Sequence, residues 1–135
     1  MTIHDNKRLW QRHVLAENRR SIDGLLATLT DVPVYQVMAT GARHEGRAAV
    51  AAFYTSLFAS MPNVNFELVE VYVGDSGVVE ESVMVGTQSG DLFGLPATGR
   101  PVRLPLTIVF PMRGGRILGE RLYFDIDSLR RQLGL

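Results

Sequence analysis

The chain has 135 residues, 46% hydrophobic and 21% charged, the profile of one globular domain over 1–135 with a single core. Fourteen basic residues balance fourteen acidic ones, so the basic footprint that nucleic-acid binding needs is missing. Cysteine is absent, which excludes disulfides, thiol catalysis and zinc–thiolate sites, and a polar start with no membrane-length apolar run leads us to expect a cytoplasmic protein without a membrane partner.

Residues 5–20 read as an amphipathic helix, with Leu9, Trp10, His13, Val14 and Glu17 close together at helical spacing and the arginines mostly elsewhere. Ser21 is a plausible cap for a short helix over 22–29, which Thr30-Asp31-Val32-Pro33 breaks. Residues 34–38 are strand formers, and 40–46 read as a loop. Gly46 to Ser60 is the clearest helix, alanine-rich with an apolar stripe of Val50, Phe53, Tyr54, Leu57 and Phe58. Four strands follow, over 65–73, 78–88, 100–112 and 116–125. The third contains Pro101, Pro105 and Pro111, which should bend it or place it at an edge. Between the second and third runs a glycine-rich loop, 89–99, whose Leu92-Phe93-Gly94-Leu95 is too apolar to be free; it either packs down or guards a pocket mouth. Gly114-Gly115 turns the last hairpin. Asp125 or Asp127 then caps a terminal helix with Leu129 and Leu133 on its apolar side. Helices beside a mostly antiparallel sheet make an α+β domain, and a twisted sheet that curls beneath them leaves an apolar cavity.

Four stretches carry a family resemblance: GRAAVAAFY at Gly46–Tyr54, GTQSGDLFGLPATGRPV at Gly86–Val102, VFPMRGGRI at Val109–Ile117 and YFDIDSLRRQLG at Tyr123–Gly134. With the first-helix pattern, the chain resembles the SnoaL-like polyketide cyclase branch of the nuclear-transport-factor-2-like superfamily. The resemblance implies a cone-shaped barrel of the cystatin-like type, an apolar pocket for a small hydrophobic molecule, and a homodimer packed through the sheet. It also implies ring closure by aldol addition, with no metal and no other cofactor. Counted without gaps from the closing Arg-Gln-Leu-Gly, the family's proton-shuttling aspartate falls on Leu122. Its histidine falls on Ile108 and a further pocket amide on Leu106, so all three positions are aliphatic here. Ketosteroid isomerase, a more distant relative, would place its base near Val37 and its neutral acid at Ile108, both apolar here. Its phenol pair would fall near His13 and on Tyr54. An epoxide hydrolase of the same cone would need an Asp-Arg-Asp set, which the pocket strands lack.

The remaining proton carriers are therefore His13, Tyr54 and Glu120. His13 is either a half-buried histidine bonded to a neighbour or a pocket donor or base partnered by Tyr54. Glu120 shares strand parity with Leu122 and Phe124, so it either replaces the lost aspartate or pairs with an arginine at the pocket mouth. Asp125, three residues beyond Leu122, points the other way and reads as a cap. The family pattern turns Glu80, Ser82, Met84 and Gln88 toward the cavity, although Glu80 is expected at a solvated rim. Trp10, Phe53, Leu106, Ile108, Leu122 and Phe124 complete the expected ligand-binding wall. His4, His13 and His44 fit no metal-ligand spacing. Two functions are open: a cofactor-free cyclase or isomerase, or a non-catalytic ligand-binding or dimeric module.

Overall fold

The computed structural model describes residues 2–135. Thr2 caps α1 (Ile3–Asn18): its hydroxyl accepts from the Asp5 amide while the Asp5 carboxylate accepts from the Thr2 N–H, satisfying two of the helix's free donors. Then come α2 (Ile22–Leu26), capped by Ser21, β1 (Leu29–Val37), β2 (Ala42–Glu45) and α3 (Arg47–Ser60). The chain closes with β3 (Asn65–Gly74), β4 (Gly77–Thr87), β5 (Pro101–Arg113), β6 (Arg116–Tyr123) and α4 (Ile126–Gln132), the last capped by Asp125.

The six strands form one curved, mixed α+β sheet in the order β2-β1-β6-β5-β4-β3. It is not a closed barrel, because β2 and β3 are edges. Only β1 and β6 run parallel. The expected loop over 40–46 contains β2, which has no alternating pattern and exists by pairing with β1, Val34 opposite Glu45 through Val37 opposite Ala42. Pairing overrides a weak intrinsic preference here.

The three prolines do not make β5 an edge, since β4 and β6 flank it. Its pairing with β6 begins at Thr107 opposite Tyr123, so Pro101 and Pro105 lie beyond the end of β6. Pro111 falls in the register break between Val109 and Met112. Each missing N–H thus sits where no ladder bond to β6 was available.

Register decides which side chains enter the interior. On β4, Val78, Glu80, Ser82 and Met84 are buried while Glu81 is exposed. On β6, Ile117, Glu120 and Leu122 are all buried, which strict alternation would forbid. Gly119 breaks the alternation with φ +156°, and a Cβ there would lie 1.8 Å from the Val34 carbonyl oxygen. Only glycine allows β1 to come so close, and the irregularity turns Glu120 to the same side as Ile117. Leu25, Tyr35, Val50, Leu104, Ile117 and Leu129 are completely sealed in the core; an aliphatic side chain so buried contributes about 1.5–3 kcal/mol. Among the described residues, no helix is long and apolar enough to cross a membrane.

Candidate acid/base site

Parallel pairing sets Tyr35 beside Glu120 and Val37 beside Leu122. α3 packs against β1 and α1 against β3 and β4, and from these helices Tyr54 and His13 reach inward to Glu120. The four polar side chains are at most 4% exposed. His13 Nε2 lies 2.9 Å from Glu120 Oε2, the Tyr54 hydroxyl donates to the same oxygen at 2.8 Å, and it stands 3.1 Å from Nε2. The Tyr35 hydroxyl bonds that of Tyr54.

The direction of this chain follows from its far end. Thr28, buried after α2, gives its only hydroxyl proton to the Leu25 carbonyl at 2.6 Å. It must therefore accept from His13 Nδ1–H at 2.8 Å. Nε2 is left facing Glu120, and one proton lies between them: on Nε2 when the carboxylate is charged, on Oε2 when the ring is neutral. Tyr54 donates to Glu120, so Tyr35 donates to Tyr54. Both phenols are held well above their ordinary pKa by burial and then by the charge of Glu120, so they remain donors at neutral pH.

Glu120 Oε2 is thus doubly occupied, whereas Oε1 has no hydrogen-bond partner among the described residues. No side-chain nitrogen or oxygen among the described residues is both sealed from solvent and unpartnered. Oε1 therefore opens onto accessible space. One oxygen is anchored and the other is free, the arrangement a proton carrier needs.

A second carboxyl lies nearby. Glu80 accepts from the Trp10 indole N–H at 2.9 Å and from the Ser82 hydroxyl. Burial raises its pKa, and those two bonds oppose the shift. The expectation of a solvated rim position is corrected here: Glu80 is 4% exposed, because β4 register sets it opposite Ile108, which is in turn opposite Leu122.

The main apolar cavity, ≈ 610 Å³, is walled by Val37, Phe53, Leu57 and Ser60, with His44 and the loop residues Leu92 and Phe93 at its side. Its wall does not include His13, Tyr54 or Glu120. Phe53 is shared by both regions: it lines the cavity, and its ring packs 5.6 Å from those of Tyr35 and Tyr54. Leu92 and Leu95 are buried, so the loop packs down, and Leu92 and Phe93 line the cavity. The Phe124 ring packs at a tilt against that of Phe93, centroids 4.8 Å apart.

Met84, Leu106, Ile108 and Leu122 are buried on the inner face of the sheet. Gln88 is spent on the loop: its amide donates to the Leu95 and Pro96 carbonyls and accepts from the Thr98 amide and hydroxyl. Asp125 caps α4, accepting from the Asp127 amide at 3.0 Å. Sequence reasoning missed Tyr35 and Thr28. Strand alternation could have placed Tyr35 inward; Thr28 carried no signal. Among the described residues, no three His, Cys, Asp or Glu side chains converge as a metal site.

The family model for SnoaL-like polyketide cyclases matches residues 7–133. The chain belongs to that family. Among solved structures, this SnoaL-like chain is similar to a candidate SnoaL-like polyketide cyclase from Jannaschia sp. CCS1 (TM-score 0.86, 21% identity, 96% of this chain and 92% of that one). It also resembles a candidate polyketide cyclase from Xanthomonas campestris pv. campestris (0.84, 28%, 96% and 97%). A third is IdmH, a candidate polyketide cyclase from Streptomyces antibioticus (0.77, 20%, 96% and 99%). No curated protein matches this chain.

Proposed function

We propose that this SnoaL-like protein binds a small hydrophobic organic molecule and moves a proton on it without a cofactor, with Glu120 as the proton carrier. The observation that carries this reading is the asymmetry of Glu120, with Oε2 held by His13 and Tyr54 and Oε1 open. A proton arriving at Oε1 gives one product from either starting state. If Glu120 begins charged, it becomes neutral beside the imidazolium. If Oε2 begins protonated, it passes that proton to Nε2. His13 and Tyr54 position the carboxyl and absorb the charge; the aspartate that relatives would place at Leu122 is replaced two residues earlier.

The test follows α-hydrogen exchange of 2-acetonaphthone in D2O by NMR. Glu120→Gln, which keeps shape and fold, should lose at least about a hundredfold. An unchanged rate would remove the catalytic reading. Binding without turnover is a second reading, favoured by the absence of His13, Tyr54 and Glu120 from the ≈ 610 Å³ cavity wall. It predicts that aromatic polyketides, steroids or terpenes raise the melting temperature while no exchange occurs. We also propose pairing of two copies through the outer sheet face, where Val69, Tyr72 and Tyr123 are exposed. A monomer in sedimentation would exclude it.

A further inference from the structure

The helix that supplies His13 carries one more acid on the same side. Glu17 follows Trp10 by seven residues and His13 by four, so the three lie along one face of α1. Glu17 is half-buried, and its carboxyl has no hydrogen-bond partner among the described residues. Arg20, one turn further on, is turned elsewhere: its guanidinium donates to the Val64 carbonyl at 2.6 Å and lies 5.9 Å from the centre of the Phe58 ring. No unpartnered side-chain nitrogen or oxygen among the described residues is sealed. Both Glu17 oxygens therefore open onto space that solvent or a ligand can enter.

We infer that Glu17 is the second ligand-facing group of this site, donating a hydrogen bond to an oxygen of the bound molecule while Glu120 Oε1 handles a proton on a neighbouring carbon. This rests on the reading of Glu120 given above. The surroundings supply the proton. Burial first, then the charges of Glu120 on β6 and Glu80 on β4, raise the Glu17 carboxyl well above its ordinary range, with Arg20 in opposition. A protonated carboxyl is the donor that carbonyl chemistry needs. The buried carboxyls of Glu80 and Glu120 beside it, with the Arg20 guanidinium engaged at the Val64 carbonyl, also select against carboxylate and phosphate ligands. The occupant that fits is a neutral carbonyl compound. In the step, an α-carbon proton passes to Glu120 Oε1 and its electron pair becomes the C=C bond. The carbonyl π pair takes the proton of Glu17, leaving an enol, a Glu17 carboxylate and a neutral Glu120. Return of both protons completes the cycle.

Two measurements test the inference. Dicyclohexylcarbodiimide is apolar, and the O–H of an accessible protonated carboxyl adds across its C=N bond. At pH 7, peptide mapping should find Glu17 modified in the native protein; an unmodified Glu17 overturns the inference. Quenching of Trp10, the single tryptophan, should report 2-acetonaphthone binding. Glu17→Gln, which still donates, should bind within about twofold of wild type, whereas Glu17→Leu should bind about tenfold more weakly, the loss of about one hydrogen bond. Equal binding by the leucine variant, or no binding by wild type, overturns it. Should Glu17→Leu fail to fold, labelling and the glutamine variant still decide. If Glu120→Gln abolishes hydrogen exchange while both Glu17 variants exchange as wild type, this inference falls and the role of Glu120 stands. If Glu120→Gln is silent, the role of Glu120 falls and takes the pairing with it.

Discussion

Removing one oxygen atom, in Tyr54→Phe, tests the order of the buried chain. That hydroxyl donates to Glu120 Oε2 at 2.8 Å and accepts from Tyr35, at a residue 1% exposed. Deletion loses a bond to a carboxylate, worth about 1.5–3 kcal/mol, and strands the Tyr35 hydroxyl, which costs about 1–3 kcal/mol. These overlap, since Glu120 keeps His13, so the expected destabilisation is about 2–4 kcal/mol. For a chain of this length that is a fall of about 7–14 °C in melting temperature by circular dichroism. Tyr35→Phe removes only the terminal donor and strands none, so it should cost about 1 kcal/mol, a fall of roughly 3–4 °C. The double variant leaves no hydroxyl without a partner and should be more stable than Tyr54→Phe alone. If Tyr35→Phe costs as much as Tyr54→Phe, or if the two losses simply add, the assigned direction is wrong.

Gly119→Ala places a methyl group against the Val34 carbonyl and should cost about 3 kcal/mol or more, read from the urea midpoint; a neutral effect would mean that β1 does not approach as described. Glu80 holds its proton more tightly when folded, so the folded protein binds more protons than the unfolded from about pH 4.5 upward, and stability falls as pH rises through that window. Melting temperature should therefore drop as pH is raised above about 4.5, and Glu80→Gln should make that drop shallower, with Glu17 keeping the rest; an unchanged slope refutes this origin. Gln88→Ala frees the loop it grips, so the Thr98 amide should exchange faster by hydrogen exchange while the Leu104 amide stays protected. Equal protection at Thr98 would show that the loop is held by other contacts.

Local patterns carried most of the architecture. The apolar stripes of α1 and α3, the alternation of β4 and the Gly114-Gly115 turn were legible because each follows from a period or a steric rule. β2 was not, since residues 42–45 become a strand only beside β1. Glu80 was misplaced because adjacent glutamates at 80 and 81 leave parity undecided, and the register with β5 resolves it. The approach of Glu120 was legible as parity with Leu122, although its partners were not. His13 lies 107 residues away, and nothing local points from one to the other. Glu17 had a signal that went unused: a carboxylate in an apolar helical stripe, four residues after a histidine.

The place of β6 between β1 and β5 has a consequence for biosynthesis. Until residues 116–123 leave the ribosome, the β1–β2 hairpin and the β3–β5 meander are two separate ribbons, each with an unsaturated edge aimed where the missing strand belongs. Non-local closure of this kind is slow and leaves the nascent chain prone to sticking to its neighbours. A premature stop before Arg116 would thus yield two mismatched flanks, each seeking a strand from another molecule, rather than a shorter version of this protein.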